Sequence, residues 1–167
     1  MPVFDSSESC NVMCVSYWLM KSEPDVYGIE QLKKEVNTLW DGIRNYQARN
    51  FMRSMKIGDL AFFYHSNCKP PGIVGLMEVV ETGIVDPTQF DENSNYYDPA
   101  SKLESPRWDC VRMSYRGQFP NQLSLNDLRK SYQADRFAVV RRGNRLSILP
   151  VDKEIAMDLL EKLGPLQ

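Results

Sequence analysis

Short apolar runs alternate with turn residues over most of the chain. Runs rich in β-branched and aromatic residues, bounded by Gly, Pro, Asn or Asp, are typical of β-strands. The pattern predicts strands at residues 17–20, 38–40, 60–66, 72–80, 108–119 and 145–150. The segment NCKPPG between the third and fourth of these predicts a polar hairpin loop stiffened by proline.

Helical spacing appears between the strands. Ile29, Leu32 and Val36 share one side of a short predicted helix over residues 29–35. A second helix is predicted within residues 44–58 and ends at a glycine; its apolar face carries Ala48, Phe51, Met52 and Met55, and its other face carries Arg49, Arg53 and Lys56. Ser124 and Asp152 are predicted N-caps of two more helices.

The order of these elements indicates the fold class. Regular strand–helix–strand units are missing, which argues against a doubly wound parallel sheet. The sequence predicts an α+β fold, a small and mostly antiparallel β-barrel or curved sheet decorated by short helices. We expect a flexible N-terminal tail over residues 1–15 and a single domain over residues 16–164. Residues 86–106 predict a long loop, and loops of this length are usually functional or disordered.

Composition narrows the class of protein. The chain has 167 residues, of which 43% are hydrophobic and 25% charged, as in an ordinary globular domain. No apolar run approaches the ~18 residues that cross a membrane, so no membrane partner is expected. Residues 1–15 lack the pattern of a signal peptide, which predicts an intracellular protein, cytoplasmic in a bacterium and nuclear in a eukaryote. A monomer is the favoured state.

Charge is distributed unevenly, although the net charge is only −2. Residues 44–69 carry a net charge of +4 and residues 107–145 a net charge of +6, while the segments around them are acidic. Such blocks are often solvated faces. If the two basic blocks meet in space, they form a positive surface that would attract nucleic acid.

Few residues suggest catalysis or metal binding. His65 is the only histidine, and a lone histidine is more often a hydrogen-bonding residue than a base. Cys10, Cys14, His65 and Cys68 could together bind zinc, but their spacing is only loosely zinc-like. No phosphate-binding glycine loop is present. We therefore expect no cofactor, no metal and no enzymatic activity.

Four segments carry a specific resemblance to a known family. YWLMKSEP, WDGIRNYQARNFMRSMKIGDLAFFYHSNCKPPGIVGLMEVV, YYDPASK and RLSILPV resemble the EVE domain family over nearly the whole chain. The resemblance implies a PUA-like β-barrel with helices, similar also to the YTH domains that recognise methylated adenine in RNA. It implies binding to DNA or RNA that carries a modified base, with modified cytosines the leading candidates.

The same resemblance implies a site. Lys21 and Ser22 match a Lys-Ser pair at the base pocket of YTH domains, Trp40 matches an aromatic ring that stacks on the base, and Tyr97 is the candidate for a second ring. The full predicted base pocket consists of Lys21, Ser22, Trp40, Gly42, Asn45, Tyr64, His65, Ser66 and Tyr97. The predicted phosphate-binding residues are Arg44, Arg49, Arg53 and Lys56, and the arginine-rich second half of the chain is expected to help hold the phosphates.

Two other functions stay open on the sequence alone. The pocket could take a free nucleoside or another small molecule. Alternatively, the protein could be an enzyme that acts on a modified base through Cys68, His65 or a bound metal. Salt dependence separates these from nucleic-acid binding, which weakens steeply as salt is added.

Overall fold

Within residues 14–167, the part of the chain described by this computed structural model, six β-strands form one sheet flanked by four α-helices. The strands are β1 (Tyr17–Ser22), β2 (Asn37–Leu39), β3 (Leu60–His65), β4 (Gly72–Val85), β5 (Asp109–Ser124) and β6 (Ile148–Val151). The helices are α1 (Ile29–Glu35), α2 (Tyr46–Ser54), α3 (Leu125–Ser131) and α4 (Lys153–Leu163). Two short 3-10 helices cover Pro87–Phe90 and Ala138–Val140.

The sheet has the order β2-β5-β4-β3-β1-β6. All neighbouring pairs are antiparallel except β1 and β3, which run parallel. The α+β class and the mostly antiparallel pairing are thus as predicted. The sheet is not closed into a barrel, because β2 and β6 are its outer strands and do not pair with each other. Of the two predicted forms, the open sheet is the correct one.

Both faces of the sheet are buried, which explains why the central strands are almost continuously apolar. On one face Trp18, Met20 and Phe63 pack with residues of α1 and α2. On the other face Leu19 and Phe62 pack with residues of α3 and α4. Because successive side chains of a strand point to opposite faces, neighbours in sequence belong to different cores. The side of the sheet that carries α1 and α2 also carries the site described below.

Helix boundaries follow the capping residues. The Asn45 side chain caps α2 by accepting a hydrogen bond from the amide of Ala48 at 3.0 Å. Ser124 and Asp152 cap α3 and α4, as predicted. The predicted end of α2 at Gly58 was too late, because the backbone turns extended at Met55 and Gly58 lies in the following turn.

The last predicted strand began too early. Residues 141–147 form a loop before β6, which we call the arginine loop because it contains Arg141, Arg142 and Arg145. The side chain of Asn144 fixes this loop by donating to the carbonyl of Ala138 and accepting from the amide of Leu146, both at 2.8 Å. Residues 144–146 are therefore bonded locally instead of extending the sheet.

Residues 1–13 lie outside the described part of the chain, and most of the predicted tail lies there, together with Cys10. None of the helices in residues 14–167 has the length and apolar character needed to cross a membrane.

Candidate functional site

A cavity of about 700 Å³ opens where β1 and β2 end. This volume is within the usual range of small-ligand sites, roughly 300–1,000 Å³. Its walls come from the end of β1 and the turn after it, from β2 and residues 40–43, from the long loop and from the arginine loop. The lining residues are Lys21, Ser22, Glu23, Val26, Tyr27, Glu35, Thr38, Leu39, Trp40, Asp41, Gly42, Ile43, Ser66, Tyr96, Arg145 and Ser147.

Two aromatic rings lie on its walls. Trp40 is only 6% exposed and packs edge-on against Phe63, with ring centroids 5.5 Å apart, so the indole is held in one orientation. Tyr96, in the long loop, is 39% exposed. Gly42 has φ of +76°, and a Cβ there would lie 2.7 Å from the Tyr96 ring. Only glycine therefore allows Tyr96 to lie this close to residues 40–43.

A buried ion pair ties these two walls together. The Arg44 guanidinium donates to the fully buried Asp86 carboxylate at 2.9 Å and to the backbone carbonyl of Tyr96 at 2.6 and 2.9 Å. Asp86 also accepts from the amide of Gly42 at 2.8 Å. We call Arg44 and Asp86 the clamp. It joins the chain after Trp40 to the loop that carries Tyr96.

The end of β1 contributes a cation and a hydroxyl. Lys21 is partly buried beside the Tyr64 ring, and this burial lowers the pKa of its ammonium. The Ser22 hydroxyl donates to the carbonyl of Tyr27 at 2.6 Å. The backbone amide of Lys21 donates to the carbonyl of Ser147 at 2.8 Å, which places the arginine loop beside the end of β1.

Three carboxylates also line the cavity, and their surroundings differ. Glu35 accepts from the Tyr27 hydroxyl at 2.6 Å and from Gln31 at 2.8 Å, and these hydrogen bonds lower its pKa. Burial, together with Glu35, raises the pKa of Tyr27 to about 12. Glu23 accepts from Asn67 at 3.3 Å. Desolvation, together with the nearby Asp86 carboxylate, raises the pKa of Asp41.

Five residues of the predicted base pocket line this cavity: Lys21, Ser22, Trp40, Gly42 and Ser66. The other four do not. Asn45 caps α2, and Tyr64 is buried in the core on the opposite face of the sheet. His65 accepts a hydrogen bond from the amide of Ile29 at 3.1 Å, and burial lowers its pKa. Tyr97 does not line the cavity; its neighbour in the sequence, Tyr96, does.

The predicted phosphate-binding residues make mostly internal contacts. Arg44 belongs to the clamp. Arg49 donates to the carbonyl of Arg107 at 2.8 Å and covers the Tyr46 ring, with its guanidinium carbon 4.6 Å from the centroid. Arg53 pairs with Asp109. Lys56 is exposed and has no salt bridge to the described residues. The three cations predicted to share one face of the helix thus differ: Arg49 and Arg53 have partners in the protein, and Lys56 has no salt bridge among the described residues.

Other residues of the site were not singled out by the sequence patterns. The arginine loop carries three exposed arginines with no salt bridge to any residue in the range 14–167, and Arg145 lines the cavity. The cluster RRGNR ends the basic block of residues 107–145, and Arg145 is also the first residue of the predicted strand 145–150. Nothing in the sequence distinguished Asp41 or Tyr96 as a site residue, apart from their position next to Trp40 and Tyr97.

The residues considered for catalysis are poorly arranged for it. The imidazole nitrogen of His65 that could act as a base already accepts from Ile29. Burial raises the pKa of Cys68, which disfavours the reactive thiolate. Within residues 14–167 no group of three or more His, Cys, Asp or Glu side chains is placed to bind a metal, and Cys10 of the considered zinc set lies outside this range.

Comparison with known proteins identifies the family. The sequence model of the EVE domain matches residues 16–162, so this chain belongs to the EVE domain family. Human thymocyte nuclear protein 1 is 41% identical in an alignment that covers 89% of this chain and 74% of the relative. The zebrafish (Danio rerio) thymocyte nuclear protein 1 is 45% identical, with 83% of this chain and 68% of the relative covered.

Solved structures show the same fold. A Pseudomonas putida protein superposes with a TM-score of 0.85 at 40% identity, over 89% of this chain and 99% of that one. The human THYN1 protein, in complex with DNA that contains 5-methylcytosine, superposes with a TM-score of 0.82 at 41% identity, over 90% of this chain and 99% of that one. The expected PUA-like α+β fold and EVE membership are confirmed.

Proposed function

We propose that this protein binds nucleic acid and holds one modified base, with 5-methylcytosine in DNA as the first candidate, in the cavity beside Trp40. The observation that carries the proposal is the cavity itself, which combines a fixed aromatic ring with polar groups and opens beside exposed arginines. The complex of the human relative with 5-methylcytosine DNA supports the same partner.

Base and backbone would be bound by different parts of the site. A base inside a duplex is inaccessible to such a cavity, so the bound nucleotide must be unpaired or flipped out. Its ring would lie between Trp40 and Tyr96, because stacking on aromatic side chains is how proteins commonly hold an exposed base. The exposed arginines of the arginine loop would contact the phosphates on either side of it.

The role proposed is binding and not catalysis. The lining residues offer stacking surfaces, donors and acceptors, while His65 and Cys68, the considered catalytic residues, are absent from the lining. One copy of the chain supplies the whole lining, so a monomer would suffice. From the names of the thymocyte nuclear relatives we infer a nuclear location if the cell is eukaryotic, and a cytoplasmic one if it is bacterial.

Tyr96 and Tyr97 offer a matched pair for a test. The two rings are almost equally exposed, at 39% and 38%, but only Tyr96 lines the cavity. Fluorescence anisotropy would measure binding of oligonucleotides that differ at a single position, which is cytosine or 5-methylcytosine. We expect the wild-type protein to prefer the methylated strand, and Tyr96→Ala to weaken binding to it by about 1–3 kcal/mol, the usual loss of a stacking ring.

Tyr97→Ala is the control and should leave the affinity unchanged. A wild-type protein that binds both strands equally, or a greater loss in Tyr97→Ala than in Tyr96→Ala, would contradict the proposal. An affinity for the free modified nucleoside that equals the affinity for the strand and ignores salt would favour the small-molecule alternative. The same strands made as RNA would decide which nucleic acid is preferred.

A further inference from the structure

A pocket for 5-methylcytosine must also reject thymine. Both bases carry a methyl group at C5, so an apolar contact with the methyl cannot separate them. They differ at position 4, where cytosine presents an amino donor and thymine presents a carbonyl acceptor. Discrimination therefore needs an acceptor on the protein that is free to meet the amino group.

Of the three carboxylates that line the cavity within residues 14–167, only one accepts no hydrogen bond from another residue. Glu35 already accepts from Tyr27 and Gln31, and Glu23 accepts from Asn67. No other residue in the range 14–167 donates a hydrogen bond to the Asp41 side chain. Within residues 14–167 the Asp41 side chain, which lines the cavity, thus accepts only from its own backbone amide and can accept a further hydrogen bond.

The chain on both sides of Asp41 is held in place. The amide of Trp40 donates to the carbonyl of Val111 at 2.8 Å, and the amide of Gly42 donates to Asp86 at 2.8 Å. The nearest guanidinium, that of Arg44, is occupied by Asp86 and by the carbonyl of Tyr96. The backbone at Asp41 is therefore held in place next to Trp40, and no cation among residues 14–167 neutralises the carboxylate through a hydrogen bond.

We propose that Asp41 accepts a hydrogen bond from the 4-amino group of the bound cytosine ring and so excludes thymine. An ionised carboxylate has only acceptors, and it would face the O4 acceptor of thymine without a proton between them. The inference rests on the proposed function, because it assumes that the base enters this cavity. The proposed function concerns recognition of the modified base. The inference adds the residue that distinguishes a cytosine ring from a thymine ring.

Asp41→Asn tests the proposal, because the amide keeps the shape of the side chain but adds a donor. Binding would be measured with single strands that carry cytosine, 5-methylcytosine or thymine at one position, so that mispairing in a duplex does not contribute. We expect the wild-type protein to prefer 5-methylcytosine over thymine, and Asp41→Asn to reduce that preference by about tenfold or more. The reduction should come mainly from tighter binding of thymine.

Asp135→Asn is the matched control, since it makes the same chemical change at an exposed carboxylate outside the cavity, and it should keep the preference. Asp41→Ala should lose affinity for 5-methylcytosine without gaining affinity for thymine. Thermal unfolding of each variant would verify that it is folded; Asp41 is exposed, so no loss is expected.

The possible failures are distinguishable. A wild-type protein that does not prefer 5-methylcytosine over cytosine would overturn the proposed function. If that preference is present, but the ratio between 5-methylcytosine and thymine is near one, or is the same in Asp41→Asn as in the wild type, the role of Asp41 is overturned while the proposed function stands.

Discussion

The two arginine-rich parts of the molecule differ in what their guanidinium groups contact. Arg49 and Arg53 on α2 lie against a backbone carbonyl, a tyrosine ring and a carboxylate. Arg141 and Arg142 in the arginine loop are exposed and have no salt bridge to residues 14–167. In the sequence both parts appear simply as basic blocks.

The difference shows that the availability of a cation depends on its partners and not on its own position. Arg53 meets Asp109, which is distant in sequence and lies at the start of β5. The arginine loop ends at β6, an outer strand of the sheet, and no described acidic residue pairs with it. One set of arginines therefore stabilises the fold, and the other is free to bind an anion.

The largest change in the free energy of unfolding is expected at the clamp, because its contacts are the most buried. Arg44→Ala would leave the fully buried Asp86 carboxylate without its cation, and removing one partner of a buried pair typically costs about 3–5 kcal/mol. The free energy of unfolding, measured by urea titration, should fall by this amount. Because Arg44 also donates to the carbonyl of Tyr96, the loop that carries Tyr96 should be displaced as well.

Arg53→Ala provides the comparison for Arg44→Ala, since it also removes an ion pair but one whose arginine is 46% exposed. If both variants lose the same free energy, the clamp has no special structural role. If Arg44→Ala is as stable as the wild type but weakens binding, Arg44 contacts phosphate after all, as the sequence analysis expected.

A smaller effect is expected from the arginine loop, where substitutions should weaken the binding of oligonucleotides. Changing Arg141, Arg142 and Arg145 together to Gln should leave the unfolding free energy within about 0.5 kcal/mol, as for surface changes generally. Binding to oligonucleotides should weaken with or without the modified base. The slope of log affinity against log salt should flatten by about one unit for each phosphate contact that is lost.

Titrations at four or more salt concentrations would measure this slope for the methylated and the unmethylated strand. An unchanged slope would show that the loop does not contact phosphate. A loss restricted to the methylated strand would mean that the loop recognises the base and not the backbone.

The smallest effects are expected from the arginines of α2. Arg53→Ala removes a partly exposed pair, so the unfolding free energy should fall by only about 0.2–1 kcal/mol. The salt slope of Arg49→Gln and Arg53→Gln should equal that of the wild type, because both guanidinium groups already have partners in the protein. If the slope of log affinity against log salt is flatter in either variant, α2 contacts phosphate. The arginines of α2 and of the arginine loop would then not differ in function.

Local signals in the sequence predicted most of the fold. Apolar runs located the strands, and Ser124 and Asp152 marked helix starts, because capping depends on residues within one turn. The open sheet could not be distinguished from a barrel, since closure depends on whether the two outer strands meet. The pairing of β1 with both β3 and β6 is equally non-local.

The site was less predictable for the same reason. Lys21, Ser22 and Trp40 were found by resemblance, and they line the cavity. The choice between Tyr96 and Tyr97 depends on the path of the long loop, which the clamp determines. The partners of Arg49 and Arg53 come from residues far along the chain, so helical spacing alone could not show that these arginines are occupied.

The position of β1 between β3 and β6 has a consequence for the protein while it is being synthesised. β1 and β3 leave the ribosome before the arginine loop and β6, which follow them in the chain. The hydrogen bond from Lys21 to Ser147 and the wall formed by Arg145 cannot exist before that loop has emerged. In a nascent chain the walls of the cavity therefore stay incomplete until β6 has been synthesised.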